Sequence, residues 1–208
     1  MSVLSRIAYL QNHRDETPNQ ELARELAEQK DRTGIHEIAE NLWNQDKNIR
    51  ADCVKVLYEI GYIDPSLIAD YVEDFLKLLK SRNNRLVWGG MIVLSTVADL
   101  RADFIHTHLD EILKAMHAGS VITVDNAIKT LALAASNEAY RTDIFPHLLE
   151  HLRTCRPKDV PQHSEKSLPA VDTINKDDFI AVLEKRMEDL SASQVTRVRK
   201  VIKEAEKR

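Results

Sequence analysis

A self-similarity of period 37 constrains this chain more than any other feature. The segments IRADCVKVLYEIG (Ile49–Gly61), LVWGGMIVLSTVA (Leu86–Ala98) and TVDNAIKTLALAA (Thr123–Ala135) superimpose at that offset without a gap. Leu57, Leu94 and Leu131 coincide, as do Cys53, Gly90 and Ala127; Val54, Met91 and Ile128; and Ile60, Val97 and Ala134. A second apolar series lies between them with the same period: Ile35, Ile38 and Leu42, then Val72, Phe75 and Leu79, then Leu109, Ile112 and Met116. Phe145, Leu148 and Leu152 follow 36 residues later. Each set has the i, i+3, i+7 spacing of one helical face. A single pair of such helices cannot bury its own apolar face, but stacked pairs can. The expected fold is therefore all-α, a right-handed α–α superhelix of about three and a half repeats closed by helical caps.

The first inner helix carries Asp46, Ile49, Arg50, Cys53, Leu57, Ile60 and Gly61. This order of residue types resembles the HEAT-repeat (armadillo-like) family of α-solenoids. Later copies depart from it: Val87 and Val124 stand at the arginine, and Asn83 and Ser120 at the aspartate. Those polar residues still suit a helix N-cap. The resemblance is strongest over residues 31–155. It implies an α-repeat architecture with a binding role.

The organisation expected is one domain spanning residues 1–208, with N-terminal capping helices over 1–30, repeats over 31–155, a loop over 156–171 and a C-terminal helix pair over 172–208. Thr17, Pro18 and Gln20 read as a capping box opening the first helix; Asn175, and Ser191 with Gln194, read as N-caps of the last two. The loop is expected because three prolines interrupt CRPKDVPQHSEKSLPAVDTIN, which has little periodicity. No apolar leader opens the chain and no run of 18 apolar residues occurs, so neither a signal peptide nor a membrane span is expected. Two cysteines cannot build a disulfide framework, and a reducing, cytoplasmic setting follows as the expectation. The net charge of −4 argues against a nucleic-acid partner, although Lys185–Arg208 holds eight basic residues against four acidic ones.

The candidate binding surface comes from asking what a helix gains from Gly89–Gly90 in its middle, since each glycine costs about 1 kcal/mol relative to alanine. Gly90 falls at the small core position shared with Cys53 and Ala127, where inner and outer helices cross. Gly89 falls on the opposite stripe with Trp88 and Ile92. Tyr58, Tyr62 and Leu133 stand at neighbouring outward positions, and Lys55 and Lys129 take the place of Ile92 in the adjacent repeats. This stripe of inner-helix residues reads as the contact surface for a protein or peptide, with Gly89 admitting the partner's backbone and the charges of Lys55, Glu59, Asp99, Asp125 and Lys129 at its rim. The competing reading has the 156–171 loop or the C-terminal helices folded over Trp88. A homodimer formed through the same patch is a further alternative.

Little here suggests catalysis or a cofactor. No phosphate-cradling glycine loop, nucleotide fingerprint or hydrolase elbow is present. His147, His151, Cys155 and His163 come nearest to a metal-ligand set, by their i, i+4, i+8 spacing and the histidine beyond. Without a Cys-x2-Cys pair they read as surface and packing residues, and no metal is expected. Alkylpurine DNA glycosylases built from HEAT-like repeats are the one enzyme class of similar size. Trp43, Trp88, Asp125, Lys55 and Lys129 could be cast in their parts, but no motif of that class is matched and an acidic chain suits DNA poorly.

Overall fold

A computed structural model describes residues 2–208. Among them the chain forms twelve α-helices joined by short 3₁₀ turns, with no strand. They are α1 (Thr17–Gln29), α2 (Arg32–Glu40), α3 (Lys47–Ile63), α4 (Val72–Leu78), α5 (Asn84–Val97), α6 (Ala102–Thr107), α7 (Leu109–Ala118), α8 (Val121–Ala134), α9 (Glu138–Thr154), α10 (Val160–Ser167), α11 (Lys176–Arg186) and α12 (Ala192–Ala205). No helix among the described residues is long and apolar enough to cross a membrane. The chain forms two compact units: the chain through Arg101 with Asp110–Ala127, and Ala102–Leu109 with Ile128–Arg208.

The inner helices α3, α5 and α8 fall where the period places them, and every residue of their four shared apolar positions is buried. Their N-termini are capped as the polar residues there require: Asp46 accepts from the Asn48 N–H at 2.8 Å, and Asn83 from the Arg85 N–H at 3.0 Å. At the C-terminal end the Ser191–Gln194 capping box is present. Two expected caps differ. The first helix is preceded by Glu16, and the Thr17 N–H donates to Asp15, so no Thr17–Gln20 box forms. Asn175 turns its side chain backwards, accepting from the Asp172 N–H and donating to the Ala170 carbonyl.

The expected loop over 156–171 is a helix. Val160–Ser167 forms α10, flanked by 3₁₀ turns at Pro157–Asp159 and Leu168–Ala170. Its three prolines each open one of these short segments, where a missing N–H costs nothing. Ser164 and Leu168 stand 37 residues after Ala127 and Leu131, so α10 continues the inner-helix register. Buried Ser164 bonds back to the Pro161 carbonyl at 2.9 Å and Ser167 to the His163 carbonyl at 2.8 Å, which satisfies both hydroxyls inside the helix. In this unit α10 packs beside α12, and α9 against α6, α10 and α11.

In the first unit α3 packs between α1 and α5, and α4 packs on α5. A Cβ on Gly90 would sit 2.8 Å from Leu78 Cβ and 3.1 Å from the Phe75 carbonyl, so that glycine permits the inner–outer crossing. A Cβ on Gly89 would sit 2.9 Å from Val54 Cγ1. The adjacent glycines thus let α5 approach α4 on one side and α3 on the other. Alanine at position 89 gains about 1 kcal/mol of helix propensity and loses about as much to the Val54 contact. Gly89→Ala alone should therefore leave stability within about 0.5 kcal/mol, whereas in a Val54→Ala background it should stabilise by about 1 kcal/mol. Urea unfolding of the four proteins reads this directly; equal effects in both backgrounds would show that Val54 does not set the approach.

Candidate functional site

The stripe on α3 and α5 begins as the wheel predicts but is more covered than expected. Tyr62 is 54% exposed and Trp88 is half-buried, whereas Tyr58, Lys55, Gly89 and Ile92 are buried. Gly89 admits the chain's own Val54 and not a partner's backbone. Tyr58 and Tyr62 pack edge to face with ring centroids 5.9 Å apart, and the Lys55 ammonium lies 4.8 Å from the Tyr58 ring centre.

Lys55 is not a rim cation awaiting a partner. Its Nζ pairs with Glu59 at 2.7 Å and with Glu16 at 3.0 Å. Burial alone would lower its pKa, but hydrogen bonds to Glu59, Tyr58 and Glu16 outweigh that and hold it above the ordinary lysine value. Glu16 also takes the Arg85 guanidinium at 3.1 Å, so one carboxylate ties the start of α1 to α3 and α5. Burial pushes the Tyr58 and Tyr62 phenols up, against the pull of Lys55.

Cover comes from α1, which packs on α3, and from the segment before it. Its backbone is held at three points: Val3 N–H donates to Glu37 at 2.9 Å, Ala8 N–H to Asn19 at 2.8 Å and Tyr9 N–H to Asp52 at 2.7 Å. A bidentate Arg6–Glu25 pair adds a fourth anchor. Asp52, an outward position on the wheel, is thereby buried. Of the capping helices expected over 1–30, one α-helix forms, α1, and ahead of it the described residues hold only a 3₁₀ turn at Leu4–Arg6. Non-periodic backbone contacts of this kind leave no pattern to find.

Further along the row, Asn126 donates to the Ile122 carbonyl at 2.9 Å and faces the buried Ser95 hydroxyl at 3.4 Å. Trp43 lies in the 3₁₀ turn that ends the outer helix α2 and is exposed. In the second unit, Leu133 and Lys129 are half-buried. Burial lowers the Lys129 pKa, and Lys166 adds to the effect. Lys166, on α10, stands 37 residues after Lys129.

The second unit also gathers three of the four metal-ligand candidates. The last turn of α9 carries His151 and ends at Cys155, while α10 presents the buried His163. His151 Nε2 and His163 Nδ1 are 2.8 Å apart, and with Cys155 Sγ the three ligand atoms lie within 4.8 Å of one another. His147 is exposed and stands outside the cluster. Burial raises the Cys155 thiol pKa while Arg186 pulls the other way.

No family model matches the sequence, and no curated protein matches it. Solved structures do. An engineered protein from a structural genomics programme is 18% identical with a TM-score of 0.65, covering 100% of this chain and 98% of its own. A second engineered protein from the same programme is 17% identical at 0.68, covering 100% of both chains. A designed armadillo repeat protein in complex with the peptide (KR)4 is 13% identical at 0.69, covering 98% of this chain and 100% of its own. At these identities the likeness concerns the fold alone: together with the repeat register it shows an all-α helical-repeat fold like that of the designed armadillo repeat protein.

Proposed function

We propose that the chain is a non-catalytic binding module that captures an extended segment of a protein or peptide along the α3–α5 face of its first unit. Trp88 and Tyr62 would serve as the anchors. The observation that carries this reading is the exposure left on that face: a half-buried tryptophan and an exposed tyrosine, backed by Tyr58, on helices whose other side is core. Large aromatics at the edge of solvent are the side chains that contribute most when a partner buries them. The designed armadillo protein of the same fold that is seen with a peptide adds support by analogy.

The spacing of the anchors favours an extended ligand. In the 37-residue register Trp88 matches Ala51, which precedes Tyr62 by about three helical turns, or about 16 Å. That span corresponds to about five residues of extended chain. Lys55, Glu16 and Arg85 pair among themselves, so they would stiffen the surface and leave affinity to the aromatics.

The test is selection of the purified chain against a displayed peptide library, followed by affinity measurement on the winners. Trp88→Ala should weaken selected peptides by at least about tenfold, and Tyr62→Ala should weaken them as well, with helicity and urea midpoint retained. In a Trp43→Phe background the Trp88 emission should shift to the blue as peptide is added. Peptides that bind both variants as well as the parent would overturn the reading.

A further inference from the structure

We propose that His151, Cys155 and His163 form a zinc-binding site with one coordination position left to solvent. The three residues come from two elements of one unit. His151 and Cys155 are separated by one helical turn, so their side chains leave α9 on one face. His163 meets them from α10, with its ring centroid 4.8 Å from that of His151 and the two planes 51° apart. Two imidazole nitrogens and a thiol are the donors that borderline-soft Zn²⁺ selects, and three protein ligands with an open fourth position make a complete first shell for a site that exchanges solvent.

The distances suit an ion after small movements. Zn–N bonds of about 2.0–2.1 Å in a tetrahedral shell place two ligating nitrogens about 3.3 Å apart. The observed 2.8 Å therefore has to open by about half an ångström. The thiol, within 4.8 Å of both nitrogens, has to close by about one. His151 and Cys155 are the half-exposed members and can supply that motion, while buried His163 is the fixed point.

The surroundings hold the ligands as an ion would need. Buried Arg186 donates to the Cys155 carbonyl at 2.8 Å and to the Leu152 carbonyl, fixing the end of α9 that presents the thiol. The Cys155 N–H donates to the His151 carbonyl at 2.8 Å, which fixes the two α9 ligands relative to each other. The His163 carbonyl accepts from Ser167, so its helix is tied at the ligand itself. Fixed backbone around the donors is what separates a site from three residues that happen to meet.

The probe is Co²⁺ and then Zn²⁺, added to the full chain after chelator treatment under reducing conditions. Cobalt should give one equivalent of a thiolate charge-transfer band that zinc bleaches, and zinc should raise the Tm by a few degrees. Cys155→Ala should abolish the band. His151→Ala, at a half-exposed position where folding is not at stake, should weaken zinc by at least about 100-fold, and His163→Ala should do the same if it folds. His147→Ala should change nothing. Absence of the band, its survival in Cys155→Ala, or equal losses from His147→Ala and His151→Ala would each overturn the proposal.

Discussion

Gly61→Ala should lower the unfolding free energy by about 2–3 kcal/mol, although it adds a better helix former near the end of α3. A Cβ at this position would lie 2.2 Å from Thr96 Oγ1, 2.7 Å from Thr96 Cβ and 3.0 Å from Ile68 Cδ1. The Thr96 hydroxyl cannot simply swing away, because it donates to the Val93 carbonyl at 2.7 Å and β-branched side chains on helices have few rotamers. Its Cβ cannot move at all without its backbone. Alanine therefore has to push α3 and α5 apart, and the loss reaches the neighbouring core positions Ile60 and Val97, both fully buried. Equilibrium urea unfolding gives the number, and Thr96→Gly supplies the control. In that background the same substitution should cost less by most of the steric contribution. If Gly61→Ala instead stabilises by about the propensity difference, α3 and α5 are not in the contact described.

The same contact explains why the repeat was legible. Gly61 meets Thr96 and Gly89 meets Val54, two pairs with the same separation of 35 residues, so α3 and α5 run parallel in near-constant register. Stacking one helix pair on the next demands small residues wherever backbones approach. A sequence that meets this demand at every period announces itself through Cys53, Gly90, Ala127 and, once α10 is seen, Ser164. The aspartate and asparagine caps were readable for a related reason, since an exposed helix N-terminus needs a side-chain acceptor whatever packs below it.

What stayed hidden is where contacts have no period. Three prolines disguised α10 because proline is read as a breaker, whereas it is also the residue best tolerated in a first turn. The wheel points Asp52 and Lys55 away from the helix pair correctly, yet both are buried, because the Tyr9 N–H and the Glu16 carboxylate, both before α1, meet them. A helical wheel describes one helix and its repeat partners. It carries no information on an irregular strap whose anchors are backbone N–H groups.

Arg141→Met should cost the second unit about 3 kcal/mol, and the loss should fade in acid. Arg141 stands in the first turns of α9 and spends its guanidinium three ways. Nε donates to the Ala135 carbonyl at 3.0 Å, Nη2 to the Ser136 carbonyl at 2.8 Å and Nη1 to the Asp172 carboxylate. The first two acceptors lie just beyond the end of α8, where carbonyls lack helical partners, so the side chain works as a C-cap as well as an ion-pair member. Both side chains of the pair are mostly shielded, at 16% and 21% exposure, so solvent screening removes only part of the attraction. Methionine keeps the volume of the stem and leaves two carbonyls with poor partners beside an uncompensated carboxylate. Burial pushes the Asp172 carboxyl up, but the N–H groups of Asn175 and Ile174 and the charge of Arg141 outweigh it and hold the group below the usual carboxylate range. A carboxyl depressed in the folded state contributes stability above its unfolded pKa of about 4, and that contribution is lost as the pH falls through the folded value. The gap between parent and Arg141→Met should thus be widest near neutrality and narrow below about pH 4, as the charge that Arg141 answers disappears. A gap unchanged between pH 7 and pH 3 would mean that Arg141 acts through the two carbonyls alone.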